Sequence, residues 1–333
     1  MSEDCYELRY QPSADQRALA STFNESLDAL LPPSRLRGRE EETEDTWSKL
    51  ESLGLFGISL PEELGGSALG PTEEALIAMQ LGRCLAAPSI LATIGATHAS
   101  PRSPAQSGWQ RTAAAYCHGD RIVIVADSKA EFLLLRAGAA TVLRCSDLRS
   151  QPLDEHLWFA RLLESRSRPE PVAHFDAKAL LRLRLIDAAV LSGIAETALG
   201  MSTAHAVVRK QFGRPIGSFQ ALKHHCADMA IAARRARDQT SFAAVALADR
   251  RDDAALQVDC ALLVAGNAAL ENSAKNIQIH GGIGFSYEAQ PHLLVKRAQL
   301  SIALAGGLEA ANLRIAVEGL EQSSRRNRSQ GAV

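Results

Sequence analysis

Several features that define common protein classes are missing from this chain. No two of its six cysteines form a C-x-x-C pair, and no cysteine or histidine cluster has zinc-finger spacing. We therefore expect no metal site and six free thiols, which are typical of a reducing cytoplasm. No apolar run approaches the roughly 20 residues of a membrane span, and the first residues resemble no signal peptide. The sequence thus predicts a cytoplasmic protein that does not enter a membrane.

Net charge and aromatic residues are also in short supply. The formal net charge is −2, so the overall charge favours neither nucleic acid nor an anionic membrane as a partner. Aromatic residues make up only 5% of the chain, whereas hydrophobic residues make up 46%. The core must therefore be aliphatic and rich in alanine, which favours closely packed helices over a β-sandwich.

The spacing of apolar residues predicts a mostly α protein of the α+β class. Helical periodicity covers seven segments, at 14–31, 43–53, 72–86, 178–210, 218–248, 252–279 and 287–320. β-branched runs at 121–125 and 140–143 predict a few short strands. The predicted organisation has four parts: an N-terminal helical domain (1–111), a β domain (112–176), a four-helix bundle (177–322) and a flexible tail (323–333).

One candidate functional segment follows the first long helix of the predicted bundle and reads R-K-Q-F-G-R-P-I-G-S-F-Q over 209–220. As a structural element it is a capped helix–turn–helix, in which Arg209 offsets the helix dipole and Ser218 is the N-cap of the next helix. As a functional element it presents a guanidinium fork beside exposed backbone, and such a fork binds phosphate through two hydrogen bonds. The segment alone leaves both interpretations open.

A second candidate segment, Q-I-H-G-G-I-G-F over 278–285, follows a later helix. Its three glycines fit a helix C-cap and a tight turn. They fit equally a backbone that lets a ligand approach closely, with the Gln278 amide as a hydrogen-bonding partner. The segment is not the dinucleotide-binding fingerprint, because no strand precedes it.

Together the two segments resemble those of the acyl-CoA dehydrogenase family. The pattern R-x-Q-F-G-x-P-I-x-x-F-Q is followed about 70 residues later by Q-x-x-G-G-x-G. The similarity extends to Glu51–Gly57, Leu81–Arg83, Ala86–Pro88 and Glu288–Ala298. This resemblance implies an N-terminal helical domain, a shortened middle β domain and a C-terminal four-helix bundle. It also implies FAD as the cofactor and an acyl-CoA thioester as the substrate.

In this family FAD lies at a subunit interface, and the neighbouring subunit contributes residues to its pyrophosphate and adenosine. The resemblance implies that this chain supplies that half-site through Arg209, Gln211, Phe212, Gln220, Gln278, Gly281 and Gly282. Their chemistry suits the role, because a cation and backbone amides bind a pyrophosphate.

The positions that carry the family's catalytic glutamate hold apolar residues here. The usual position of that glutamate falls on Ala305, and its alternative position on the first bundle helix falls on Leu183. Removal of the substrate's α-proton needs a carboxylate, so we predict no catalytic residue in this chain. Asp187 and Glu309, each one turn further along its helix, are candidates for a relocated base. A polar helix surface or a bundle salt bridge explains both as well.

The predicted β domain is short and lacks the T-E-P…G-S-D segment that meets the flavin ring in the family. The resemblance therefore implies a division of labour, in which a homologous partner subunit holds the flavin ring and supplies the glutamate. Such α2β2 enzymes of bacterial steroid catabolism oxidise CoA thioesters, with an electron-transfer flavoprotein as the acceptor. Two alternatives stay open: a self-sufficient homo-oligomer with a relocated base, and a degenerate subunit with only a structural role.

Overall fold

The computed structural model describes residues 10–38, 42–99, 111–118, 121–125, 132–137, 139–144, 148–152, 160–165 and 170–330. Its first part is helical and consists of α1 (Ala14–Leu30), α2 (Glu44–Ser52), α3 (Pro71–Arg83) and α4 (Pro88–Ala99). Ser13 caps α1, because its hydroxyl accepts a hydrogen bond from the Gln16 amide and the Gln16 side chain accepts one from the Ser13 amide. Helix α4 adds to the three helices that periodicity predicts in this part.

The middle of the chain forms a seven-stranded sheet with the strand order β5-β6-β2-β1-β3-β4-β7. The strands are β1 (Thr112–His118), β2 (Arg121–Val125), β3 (Phe132–Ala137), β4 (Ala139–Arg144), β5 (Leu148–Pro152), β6 (Ala160–Ser165) and β7 (Glu170–His174). Strands β1 and β3 are parallel, and the other neighbours are antiparallel. The predicted strand segments 121–125 and 140–143 lie in β2 and β4. The sequence did not indicate β1 and β3, because β1 is rich in alanine and β3 in leucine, which favour helix.

The alanine-rich strand β1 lies at the centre of the sheet and packs against α4. Ala113, Ala114 and Ala115 are buried, and the small side chain of Ala114 belongs to the same apolar cluster as Ala92 of α4. The Thr93 hydroxyl on α4 accepts a hydrogen bond of 3.0 Å from the Thr112 amide, which fixes the start of the strand. The sheet therefore packs directly against the last of the N-terminal helices.

The last part of the chain is a bundle of long helices: α5 (Ala177–Val208), α6 (Gln220–Ala248), α7 (Ala254–His280), α8 (Pro291–Leu304) and α9 (Leu308–Gln330). The prediction of one helix over 287–320 is wrong. Gly306 and Gly307 have φ values of 90° and 86°, and this left-handed backbone ends α8 and begins a bend of 47° to α9. Helix α9 continues to Gln330, so the predicted tail begins inside it.

Helices α3 and α5 cross closely because each carries a glycine at the contact. A Cβ atom on Gly82 would overlap the carbonyl of Val190, and one on Gly193 would overlap the carbonyl of Met79. Small residues at the contact therefore let the two helices pack closely. The crossing joins the N-terminal helices to the bundle. The mostly α architecture that the sequence predicts is confirmed.

A buried ion cluster holds α3, α4 and α5 together. Glu74 is only 1% exposed, and its carboxylate accepts hydrogen bonds from His98 at 2.8 Å and from Arg182 at 2.7 Å. Burial alone would raise the pKa of the Glu74 carboxyl, but His98 and Arg182 together lower it. The cluster therefore keeps its charge and ties the N-terminal part to the start of α5.

Two segments of the described residues, Ala177–Val208 and Ala254–Phe285, are long and apolar enough to cross a membrane by length and composition. The prediction that no such stretch exists is thus wrong. In the folded chain 67% and 50% of their apolar windows are buried within the protein. Their hydropathy follows from the alanine and leucine side chains that form the bundle core.

Candidate functional site

Three helix ends meet at one end of the bundle, because α6 runs antiparallel to both α5 and α7. The C-terminus of α5, the N-terminus of α6 and the C-terminus of α7 therefore lie together. The structure brings all seven predicted cofactor residues to this end: Arg209, Gln211, Phe212, Gln220, Gln278, Gly281 and Gly282. Every one of the seven is exposed. Their assignment to FAD stays a prediction, and their clustering is the feature that such a half-site needs.

The segment after α5 forms a tight hairpin of β8 (Lys210–Gln211) and β9 (Arg214–Pro215). Its turn residues, Phe212 and Gly213, have φ values of 53° and 77°. A positive φ is unusual for a bulky residue and costs about 1–2 kcal/mol. Phe212 is also 90% exposed, and its ring meets the Phe219 ring in an edge-on contact with centroids 6.1 Å apart, which leaves most of the ring in solvent. The turn presents an aromatic ring to the outside.

The hairpin leads into α6 through a short 3-10 turn, Ile216–Ser218. The Ser218 hydroxyl donates to the Pro215 carbonyl at 2.7 Å, so it does not cap α6, and the predicted N-cap is wrong. Phe219 precedes the helix instead and carries the Arg214 guanidinium on its ring at 4.2 Å. The hairpin therefore offers two arginines, Arg209 and Arg214, beside the exposed phenylalanine.

The glycines after α7 divide into two kinds. A Cβ atom on Gly281 or Gly282 would meet nothing within 4 Å, and Gly281 has a φ of 65°. A Cβ atom on Gly284, in contrast, would lie 2.6 Å from the Ile277 carbonyl. Gly284 is thus required by the fold, whereas Gly282 leaves open space that a ligand can approach.

Polar side chains join the three helices below the site. The Asn272 amide donates to the carbonyls of Ala195 at 3.1 Å and Met229 at 2.9 Å, which links α7 to α5 and α6. Higher up, the Ser202 hydroxyl donates to Asn276 at 2.9 Å. Buried side-chain hydrogen bonds of this kind fix the relative position of helices, so the two candidate segments are held at a defined separation.

Apolar side chains surround the site, and we call this set the apolar rim. Its members all belong to the ends of α5 and α7 or to the turns that follow them: Val207, Val208, Phe212, Ile283, Phe285 and Tyr287. Each is exposed, Phe285 by 76%. A concentration of exposed large apolar residues is typical of a protein–protein interface. Val207 and Val208 stand directly before Arg209 at the start of the candidate segment, and the sequence predicted no role for them.

The positions of the family's glutamate lie elsewhere, around a small cavity between α4, the sheet, α5 and α8. Leu183 lines this cavity, and Ala305 follows Leu304, which also lines it. The cavity measures about 40 Å³, whereas ligand sites usually measure about 300–1,000 Å³. It has room for a water molecule but not for a cofactor ring.

An ion pair closes the polar side of this cavity. The Arg136 guanidinium on β3 donates to Asp187 on α5 at 2.9 Å, and a second N–O distance is 2.6 Å. Burial raises the pKa of the Asp187 carboxyl, and Arg136 opposes that shift. Glu309, the other candidate for a relocated base, is exposed on α9. Neither carboxyl faces a space that an acyl chain can enter, so the geometry favours the salt-bridge interpretation of Asp187 and the helix-surface interpretation of Glu309.

The seven exposed residues fit the pyrophosphate and adenosine part of FAD. Arg209 supplies a guanidinium, and Gln278 supplies a carboxamide with a donor and an acceptor. The open space at Gly281 and Gly282 lets a backbone amide approach a phosphate oxygen. By the same test the cavity below Leu183 does not fit a flavin ring. Among the described residues, no group of three or more His, Cys, Asp or Glu side chains is arranged to hold a metal ion.

Comparison with known families and proteins agrees with this geometry. Residues 174–320 match the acyl-CoA dehydrogenase C-terminal domain, and residues 13–102 match its N-terminal domain. The chain is 31% identical to the acyl-CoA dehydrogenase IpdE2 of Mycobacterium tuberculosis over 78% of this chain and 82% of the relative. It is 32% identical to FadE34 of the same organism over 81% of this chain, but it spans only 42% of that longer relative.

Solved structures share the fold. The ChsE4-ChsE5 complex from Mycobacterium tuberculosis superposes with a TM-score of 0.74 and 23% identity, over 94% of this chain and 99% of that one. An acyl-CoA dehydrogenase from Bacillus anthracis complexed with FAD has a TM-score of 0.73 and 17% identity, over 94% of this chain and 68% of that one. The chain belongs to the acyl-CoA dehydrogenase family, whose members are FAD-dependent oxidoreductases that act on acyl-CoA.

Proposed function

We propose that the chain is one subunit of a heteromeric acyl-CoA dehydrogenase and completes the FAD site of a homologous partner subunit. The partner holds the flavin ring and supplies the catalytic glutamate. The present chain contributes Arg209, Phe212, Gln278 and the two open glycines across the interface. On its own it lacks a complete active site and is inactive.

The contrast between the open and the closed half-site is the observation that carries this proposal. At the end of the bundle, seven residues that fit a nucleotide diphosphate are exposed, and the apolar rim surrounds them. At the chain's own glutamate positions, Leu183 and Ala305 are apolar and border a cavity of about 40 Å³. A chain that bound its own flavin ring would need a carboxylate at position 183 or 305 and a much larger cavity beside it.

The residues of this chain bind and orient; they do not transfer protons. When bound, FAD supplies the hydride acceptor for the oxidation of the Cα–Cβ bond of the thioester. Arg209 would neutralise charge on the pyrophosphate through its fork, and the backbone at Gly281 and Gly282 would donate hydrogen bonds. Phe212 would supply an aromatic face for the nucleotide, and the apolar rim would exclude water from the interface. Orientation of the cofactor by one subunit leaves the chemistry to the other.

The substrate, acceptor and compartment belong to the same proposal. The substrate is a CoA thioester with a steroid-derived acyl group; the support is the resemblance to the heteromeric enzymes of bacterial steroid catabolism. An electron-transfer flavoprotein reoxidises the complex, which works in the cytoplasm as an α2β2 heterotetramer. Activity assays of the complex with steroid-derived and straight-chain acyl-CoA substrates test the first of these points.

The alternatives meet specific obstacles in the structure. A self-sufficient enzyme with a relocated base would need Asp187 or Glu309 at a ligand-sized space, but Asp187 is paired with Arg136 and Glu309 lies on the surface. A subunit with only a structural role would have no use for a strained, exposed Phe212 beside Arg209.

Replacement of Arg209 tests the proposal. In the purified complex, Arg209→Ala removes a charge-assisted hydrogen-bonded pair worth about 1.5–3 kcal/mol, so FAD affinity falls by roughly tenfold to a hundredfold. Arg209→Lys keeps the charge but loses the fork, and we expect an intermediate loss. The matched control is Arg234→Ala on the exposed face of α6, where the arginine forms an ion pair with Asp238 of the same helix. Unchanged FAD content and turnover in Arg209→Ala would contradict the proposal.

A further inference from the structure

Two histidines connect the candidate cofactor segments at the end of the bundle. His205 lies in the last turn of α5, four residues before Arg209, and His280 is the last residue of α7, next to Gly281. Their rings stack with centroids 4.1 Å apart and an interplanar angle of 25°. The stack therefore joins the helix that leads to Arg209 with the helix that leads to Gly281.

We propose that the His205–His280 stack is a positioning pair, which sets the Arg209 turn and the Gly281 turn at the separation that the FAD pyrophosphate requires. The inference rests on the proposed function. The proposed role of both histidines is positioning and not catalysis, because their contacts are with each other and with Asn276. The pair acts by holding the two helix ends together.

Hydrogen bonds support one side of the stack. A hydrogen bond of 2.8 Å orients the His280 ring: its Nδ1 donates to the Asn276 carbonyl, one turn earlier on α7. Asn276 in turn accepts a hydrogen bond from Ser202, which lies one turn before His205 on α5. The imidazole of His280 is thus fixed by α7, and the shared Asn276 anchors it to the helix that carries its stacking partner.

Charge makes this contact sensitive to pH. The titratable and charged groups that act on His205 are His280 from α7 and Arg209 just beyond α5. Burial, and then these two neighbours, lower the pKa of His205 below its ordinary value of 6.5. His205 therefore binds a proton more readily in the unfolded or opened chain than in the stacked pair. The stack is fully present above about pH 6.5 and weakens as the pH falls below it.

The test compares His205→Ala, His205→Phe and Arg209→Ala in the FAD-containing complex. FAD itself is the probe, and its dissociation constant is measured by flavin fluorescence between pH 5.5 and 8. We expect His205→Ala to weaken FAD binding about threefold to tenfold at pH 7.5, the factor that corresponds to the loss of an aromatic pair. His205→Phe keeps a flat ring that cannot be protonated. It should therefore retain wild-type affinity at pH 7.5 and lose less affinity than the wild type at pH 5.5.

Two outcomes would overturn the inference: wild-type affinity in His205→Ala, or a wild-type pH profile in His205→Phe. Thermal unfolding of the same samples reports on folding, and where His205→Ala lowers the unfolding temperature, the pH profile of His205→Phe decides. Arg209→Ala separates the two proposals. If it loses FAD and His205→Ala does not, only the positioning role fails; if both retain FAD, the proposed function fails as well.

Discussion

Helix α5 passes two places where a ligand of this family would contact the chain, and the two places differ in exposure and in the space that they offer. Its first half carries Leu183 and Asp187 into a cavity of about 40 Å³ under the sheet. Its last turn leads to the exposed Arg209 and to Phe212, which has a positive φ and touches only the edge of the Phe219 ring among the described aromatic rings. The polar group near the first end of the helix therefore has its partner within the chain, whereas the residues at the other end are exposed and free to contact another molecule.

The comparison teaches that a functional site and its loss leave different physical marks. Where no ligand enters, Arg136 and Asp187 satisfy each other, and apolar side chains fill the remaining space. Where a ligand and a partner are proposed, the chain keeps strain, exposed apolar surface and open space at Gly282. Four predictions test this difference, in order of decreasing effect.

The largest effect is expected at the closed cavity. Arg136→Ala leaves the Asp187 carboxylate buried without its partner, and we expect a loss of about 3 kcal/mol in the free energy of unfolding. This value is at the lower end for buried pairs, because the two side chains keep 14% and 16% of their exposure. Urea unfolding of the isolated chain measures it.

A double variant provides the control for this effect. Arg136→Met with Asp187→Leu replaces the pair by apolar groups of similar volume, and we expect stability close to that of the wild type. Unchanged stability in Arg136→Ala alone would show that the pair does not close the cavity.

The glycines after α7 give the next effect through a matched pair of variants. In Gly284→Ala the new Cβ lies 2.6 Å from the Ile277 carbonyl, so we expect a loss of about 1–3 kcal/mol of stability. In Gly282→Ala the Cβ meets nothing, so stability changes by less than about 0.5 kcal/mol while FAD affinity in the complex falls. If Gly282→Ala binds FAD like the wild type, no ligand approaches that backbone.

Phe212 should affect FAD binding in the complex more than the stability of the isolated chain. Asparagine accepts a positive φ more readily than phenylalanine, but Phe212→Asn also loses the edge-on contact with Phe219, so we expect the two effects on stability to cancel within about 1 kcal/mol. The same change should weaken FAD binding in the complex, because the exposed ring is lost. Thermal unfolding and flavin fluorescence measure the two effects. Unchanged FAD affinity in Phe212→Asn would show that the ring serves only the fold of this subunit.

The smallest effect is expected at Glu309. Its carboxylate is exposed on α9, so Glu309→Gln should leave the turnover of the complex and the stability of the chain unchanged. Steady-state kinetics with an acyl-CoA substrate provide the measurement. A large fall in turnover would identify Glu309 as a relocated base and would restore the self-sufficient alternative.

Much of the helical architecture could be predicted from the sequence because its signals are local. Apolar periodicity and the caps at Ser13 and Thr43 locate α1 and α2, and Gly54, with a φ of 78°, ends the second of these segments. The glycine pair Gly306–Gly307 was a signal for a helix end, but apolar residues continue with helical spacing on both sides of it, so a single helix was predicted. The sheet was underestimated because its central strands owe their conformation to pairing and not to residue preference.

The candidate site divides in the same way. The motifs at 209–220 and 278–285 identify exposed residues, and the structure brings the two segments to one end of the bundle. The stack of His205 on His280 and the pair of Arg136 with Asp187 join residues that are far apart in the chain. Such contacts depend on how the helices and strands pack, so periodicity and motif spacing could not predict them.

The number of FAD molecules per chain in the purified complex tests the central claim most directly. The chain is expressed with its homologous partner subunit, and flavin absorbance is compared with the amount of each polypeptide. The account predicts one FAD for each pair of different subunits and no flavin in this chain purified alone. A yellow, active homo-oligomer with one FAD in every copy of this chain would contradict it.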